Sequence, residues 1–178
     1  MIYSFSGPPG QGKSEAISFF QEEGFLTIPT KRADCTTSIV QFQKIQEEIL
    51  DDKFAIISER SNDLPLIIES SFVDMFIYSM LILGVHYDHS TWLNSFYNKC
   101  IHYQKIIDLT ILFPYIQREN QGMNEFSAES FYILAEHYLN LNNFIFMKGH
   151  GLDNNIQLLI KNEELNYKEK DTKNYWKN

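Results

Sequence analysis

A chain of 178 residues has the length of one compact domain. With 44% hydrophobic and 15% aromatic residues it carries the material of a packed core, which excludes a disordered ensemble. Fifteen Lys and Arg against 23 Asp and Glu give a formal net charge of -8, a balance that repels a phosphate backbone and disfavours nucleic acid as a partner.

Residues 2–5 form a short apolar, β-prone run that stops at Gly7-Pro8-Pro9-Gly10. From Ser14 on, Ala16, Ile17, Phe19 and Phe20 recur at helical spacing, and Gly24 supplies a C-cap. Residues 25–28 read as a second strand, ended by Pro29. Ile39, Phe42, Ile45, Ile49 and Leu50 mark a helix over about 37–52, with room for a continuation through 54–57. Residues 64–68 are apolar without alternation, as in a parallel strand covered on both faces. Ser71 and Asp74 then open a helix with a capping-box pattern.

A further helix fills about 92–106, and a fourth strand covers 108–113 before Pro114. A polar loop follows over 116–125, then a helix over 128–141, a fifth strand over 143–147 and a last helix near 154–161. Strands alternating with helices predict an α/β fold with a parallel sheet and right-handed crossovers. One domain over residues 1–165 and a polar tail over 166–178 are expected. Cys35 and Cys100 lack CxxC spacing and read as reduced thiols. The chain opens without a signal-peptide pattern. Its longest apolar stretch, 72–85, is broken by Asp74, Tyr78 and Ser79 and is too short to span a bilayer. The expectation is a soluble, cytoplasmic protein with no membrane partner.

The chemistry enters with Gly7-Pro8-Pro9-Gly10-Gln11-Gly12-Lys13-Ser14, which fits G-x-x-x-x-G-K-[ST]. Glycines let backbone N–H groups turn inward around phosphate oxygens, and the following helix points its positive end at the same phosphates. Lys13 then reaches the β- and γ-phosphates and Ser14 coordinates Mg²⁺. The motif follows the first strand directly and opens a helix, the context its mechanism requires. ATP and Mg²⁺ are the expected cofactors, held by residues 7–14.

Glu69 closes a strand that is apolar on both faces, so it emerges at the carboxyl edge of the sheet, where ligands bind in open α/β folds. A carboxylate there serves as general base on an acceptor hydroxyl or as a support for Mg²⁺. Only three basic residues are arginine, namely Arg32, Arg60 and Arg118. Any chemistry that needs guanidinium groups must draw on them.

Several positions in order carry a family resemblance. They are the phosphate loop, Pro29-Thr30-Lys31-Arg32 after the second strand, Phe42-Gln43 and Glu47-Glu48-Ile49-Leu50 on the long helix, Glu69-Ser70-Ser71-Phe72-Val73-Asp74 with Tyr78, and Leu112-Phe113-Pro114 ahead of Gln121-Gly122-Met123-Asn124. Over about residues 1–160 the chain resembles the small P-loop nucleoside and nucleotide kinases. More narrowly it resembles their phage-type and nicotinamide-riboside-type branch, which includes deoxynucleotide kinases and hydroxymethyluracil DNA kinases.

The resemblance implies a three-layer P-loop kinase fold, a five-stranded parallel sheet flanked by helices. It implies ATP-dependent transfer of the γ-phosphate to a nucleoside, a nucleotide or a nucleoside-like small molecule. Lys31, Arg32 and Asp74 would bind that acceptor. Two departures stand out: Ser70 replaces an arginine of the family pattern, and Asn124 replaces a common lid arginine. Arg118, in the same loop, becomes the candidate to close over the transferring group. The catalytic set is then Lys13, Glu69 and Arg118, with Ser14 and Glu69 at the metal. Two alternatives stay open: a 5-hydroxymethyluracil DNA kinase acting in the host cytoplasm, and a P-loop NTPase that works as a binding or switch module. The aromatic-rich segment 92–103 offers a surface for a homodimer.

Overall fold

The computed structural model describes residues 1–31, 38–60, 65–84, 89–114, 125–139, 144–146, 157 and 160. Its strands are β1 (Ile2–Ser6), β2 (Leu26–Ile28), β3 (Leu66–Glu69), β4 (Leu109–Leu112) and β5 (Phe144–Phe146). Its helices are α1 (Lys13–Glu22), α2 (Ile39–Ser58), α3 (Phe72–Leu83), α4 (Ser90–Gln104) and α5 (Glu125–Leu139). The strands form one parallel sheet in the order β2-β3-β1-β4-β5. The phosphate-loop strand therefore lies at the centre, and both its edges are satisfied by neighbours.

The sheet divides the side chains of each strand between two layers, because successive residues point to opposite faces. Tyr3, Phe5, Ile67, Ile111 and Phe113 face α1 and pack with Ile17 and Phe20. The rings of Phe5 and Phe113 lie 5.3 Å apart, and those of Phe20 and Phe25 lie 5.2 Å apart. Each fully buried phenylalanine here contributes about 1.5–3 kcal/mol of hydrophobic stabilisation. Leu66, Ile68 and Leu112 face the other way, into a larger cluster built by α3, α4 and α5 with Leu50 and Ile57 of α2.

That second face also holds buried polar residues of β1 and β4. The hydroxyls of Ser4 and Thr110 share a hydrogen bond of 2.8 Å. Gln104 Nε2 donates to Thr110 (2.9 Å), while Gln104 Oε1 accepts from the Phe72 N–H (3.0 Å). A buried amide thus satisfies a first-turn N–H of α3, which has no partner within its own helix.

Helix ends follow their side-chain chemistry. Ser38 caps α2, its hydroxyl accepting from the Gln41 N–H. Ser71 and Asp74 form the expected capping box on α3. α2 runs without a break from Ile39 to Ser58, so residues 54–57 do continue it. The α4 aromatics pack toward neighbouring helices: Tyr103 stacks on Phe54 of α2 at 3.8 Å, and Tyr97 lies 4.9 Å from Phe76 of α3. Among the described residues no helix is long and apolar enough to cross a membrane. Cys100 is buried, and burial pushes its thiol pKa up. Cys35, Arg32, Arg118 and Asn124, the loop over 116–124 and the tail lie outside the described residues, as does most of the last expected helix.

Candidate functional site

The site forms where β1 and β3 end. Gly7 leaves β1 at φ 132°. A Cβ on it would stand 2.9 Å from the Phe113 carbonyl oxygen, a backbone atom that cannot move aside. Glycine is therefore required both by the torsion and by the close approach of β4. Gly12, at φ 86°, is the N-cap of α1 and offers no side-chain cap, so the first N–H groups of the helix stay aimed at the loop. These are the groups that hold phosphate in such loops. Lys13 is buried, and its ammonium donates to the carbonyls of Gly7 and Pro8, each at 2.6 Å. These two carbonyls hold the ammonium over the loop.

Opposite the loop, Glu69 ends β3 in register with Phe5. One carboxylate oxygen accepts a hydrogen bond from the Ser14 hydroxyl, and the other accepts from the Thr30 N–H at 3.0 Å. The Thr30 hydroxyl donates to the Glu69 carbonyl at 2.8 Å. Glu69 thus joins the start of α1 to the end of β2. Ser14 and Glu69 bring a hydroxyl and a carboxylate together, a pair of hard oxygen donors of the kind Mg²⁺ takes alongside water and phosphate oxygens. The donor set fits that ion.

Asp74 lies deeper and is 3% exposed. It accepts from the hydroxyls of Ser6 and Ser70 and from the Ser71 N–H. Burial raises its pKa; Ser6, the Lys13 charge and Ser71 oppose that rise. Its capping role is therefore established in the geometry, and its carboxylate also borders the cleft described next.

A cleft opens beside the phosphate loop. Lys13, Thr30, Lys31, Gln46, Asp74 and Tyr78 line it, with Met75 and Phe131 as apolar walls. Of the acceptor-binding residues expected from the sequence, Lys31 and Asp74 meet here. Arg32 and Arg118 lie outside the described residues, and Arg60 follows the C-terminal cap of α2.

Two residues of this region escaped the sequence reading. Gln46 is 3% exposed, and its carboxamide has no hydrogen-bond partner among the described residues. Lys53 is 8% exposed. Its ammonium donates to the Ser70 carbonyl and, at 3.4 Å, to the Glu69 carbonyl. Burial lowers its pKa to about 8, against the pull of the Asp74 and Glu69 charges. Ser70 stands where the resemblance expects arginine, and a cation reaches this turn from α2 instead. The buried stripe of α2 is Phe42, Gln46, Leu50, Lys53 and Ile57. The signal was two polar residues recurring on an apolar helical face.

No protein-family model matches the chain, and no curated protein does. Solved structures do resemble it. NadR protein in complex with NR matches at a TM-score of 0.64 and 12% identity, covering 90% of this chain and 49% of that one. Deoxyadenosine kinase from M. mycoides with bound dATP matches at 0.60 and 15%, covering 93% and 100%. Thymidylate kinase from Candida albicans matches at 0.52 and 14%, covering 93% and 92%. The chain spans about half the length of the NadR chains. At these identities the likeness is one of fold, and that fold is the P-loop kinase fold with its parallel five-stranded sheet.

Proposed function

We propose that this protein is an ATP-dependent phosphotransferase that moves the γ-phosphate to a hydroxyl or phosphate oxygen of a nucleoside, a nucleotide or a nucleoside-like small molecule. The observation that carries the reading is the shared cleft. Lys13 of the phosphate loop and the buried carboxamide of Gln46, without a hydrogen-bond partner among the described residues, line the same opening. A switch NTPase needs a donor site alone, whereas a kinase needs a second ligand held beside the donor. The neighbours support the pair of ligands by analogy: NadR was seen with NAD and AMP-PNP, and two others are named as deoxyadenosine and thymidylate kinases.

In this reading the loop amides of residues 7–14 and Lys13 hold the β- and γ-phosphates of ATP. Ser14 and Glu69 would hold Mg²⁺, which when bound neutralises phosphate charge. Where the acceptor is a hydroxyl, Glu69 takes its proton as the oxygen attacks the γ-phosphorus. The bond to the β-phosphate oxygen breaks and ADP leaves. Gln46 presents one acceptor and two donor hydrogen-bond positions, suited to the polar edge of a base. Lys31 and Arg32 hold the polar end of the acceptor, and Asp74 fixes the cleft wall. Arg118 closes over the transferring phosphoryl group, where a guanidinium stabilises developing charge. The net charge of -8 favours a small acceptor over a long nucleic acid. A cytoplasmic location belongs to the same proposal.

The test is ADP release from ATP and Mg²⁺ across a panel of nucleosides and nucleotides. Release that depends on an acceptor supports the proposal. Release that depends on a protein partner, with no acceptor active, would support the switch reading.

A further inference from the structure

Lys53 sits in an unexpected place. It shares the buried face of α2 with Phe42, Leu50 and Ile57, where an ammonium loses nearly all its water. Such a charge persists only where specific partners replace its hydration. Its partners are backbone oxygens of one turn. The ammonium donates to the Ser70 carbonyl and, at 3.4 Å, to the Glu69 carbonyl, and it stands 5.5 Å from the centre of the Phe72 ring.

That turn is strained. Ser70 has φ 76°, and among the described residues no other non-glycine residue has a positive φ. A residue with a Cβ keeps this conformation only when its surroundings over-determine it. The Ser70 N–H donates to the Phe5 carbonyl at 2.7 Å, and its hydroxyl donates to Asp74 at 3.2 Å. Lys53 holds the remaining backbone group, the carbonyl. The residue just before the turn is Glu69, whose carboxylate meets Ser14 and the Thr30 N–H.

We infer that Lys53 is a positioning residue: its ammonium pins the left-handed Ser70 turn and thereby aims the Glu69 carboxylate at Ser14 across the phosphate loop. The consequence for metal binding rests on the phosphotransferase reading; the geometric claim does not. Lys53 touches neither donor nor acceptor in this account. It acts through the two carbonyls it binds. Ser70→Gly supplies an internal control, because glycine adopts φ 76° without strain and needs no clamp.

Crystal structures of the wild type, Lys53→Met and the double variant Lys53→Met with Ser70→Gly test the geometry. In Lys53→Met, Ser70 relaxes to negative φ and the Glu69 carboxylate leaves Ser14. In the double variant the turn and the Glu69–Ser14 contact return. A Lys53→Met structure with Ser70 still at positive φ and Glu69 still on Ser14 overturns the inference. If Lys53→Met does not fold, the double variant folds; failure of both overturns the inference, since Lys53 then serves the core and not the turn.

A thermal-shift titration of Mg²⁺ with AMP-PNP reads the consequence. Lys53→Met raises the Mg²⁺ concentration at half effect by about 10–100-fold, the range for groups that orient a metal ligand. The double variant recovers most of that loss. A purely structural lysine lowers every melting temperature alike and leaves the Mg²⁺ midpoint in place, which also overturns the inference. A wild type whose AMP-PNP shift ignores Mg²⁺ contradicts the phosphotransferase reading, while the crystal structures still decide the role of Lys53.

Discussion

Gln46→Leu should separate function from stability. The carboxamide of Gln46 is buried, 3% exposed, and lacks a hydrogen-bond partner among the described residues. Its neighbours on the α2 stripe include Phe42 and Leu50, so leucine suits the position sterically and chemically. An unsatisfied buried polar group costs about 1–3 kcal/mol. Leucine removes that cost and forfeits part of the gain through its shorter chain, for a net stabilisation of about 1 kcal/mol. For a domain of this size such a gain raises the apo melting temperature by roughly 2–4 °C.

The same substitution removes the groups that read the acceptor. Two hydrogen bonds at about 0.5–1.5 kcal/mol each correspond to roughly 10–100-fold in kcat/KM for the acceptor. The ATP KM should stay near wild type, because Gln46 is not part of the phosphate loop. Calorimetry of the apo protein and steady-state kinetics with both substrates make the measurement. A variant that is less stable than wild type and binds acceptor equally well would make Gln46 an ordinary satisfied core residue and contradict its role in acceptor binding.

Gly7→Ala places a Cβ 2.9 Å from the Phe113 carbonyl oxygen at φ 132°, so it should destabilise the chain by about 2 kcal/mol or more and weaken ATP binding, both seen by thermal shift with and without nucleotide. The pKa of Lys53 falls from 10.5 to about 8 on folding. Between those values the unfolded chain binds a proton that the folded chain has released, so stability rises with pH across the window, by up to about 3 kcal/mol from this group. Urea unfolding at pH 7.5 and pH 10 should show that rise in the wild type relative to Lys53→Met; equal pH dependence in the two would contradict it. Glu69→Gln removes the negative charge beside Ser14 and should lower kcat at least a hundredfold while leaving the apo melting temperature within a few degrees, measured by single-turnover kinetics and thermal unfolding.

Much of this fold could be read from local pattern. Both β1 and the phosphate loop announce themselves, because a β-prone run meets glycines and prolines that no strand continues through. β3 and β4 were visible as apolar runs because a central parallel strand is covered on both faces. The Ser71 and Asp74 capping box was legible because its two partners lie three residues apart. Glu69 was placed at the sheet edge from its position after an apolar run, and its contact with Ser14 follows from the parallel register of β1 and β3.

What escaped depends on distance in sequence. Lys53 reaches a turn 17 residues away, and nothing local marks that meeting. Gln46 and Lys53 stay hidden in the periodicity of α2 because that pattern is carried by its apolar residues. The left-handed backbone of Ser70 carries no residue-type signal, since serine there is held by its partners and not by its own preference. Asp74 was read as a choice between capping and substrate contact. The structure gives it the cap and places it at the cleft, because the start of α3 lies against β1.

The central claim is phosphoryl transfer to an acceptor in the cleft shared by Lys13 and Gln46. Its most direct measurement is ADP formation by the wild type and by Lys13→Met, with ATP and Mg²⁺, across nucleosides and nucleotides. At least one acceptor should raise ADP release well above the acceptor-free rate and be recovered phosphorylated, and Lys13→Met should abolish both. ADP release unaffected by every acceptor, or unchanged in Lys13→Met, would contradict it.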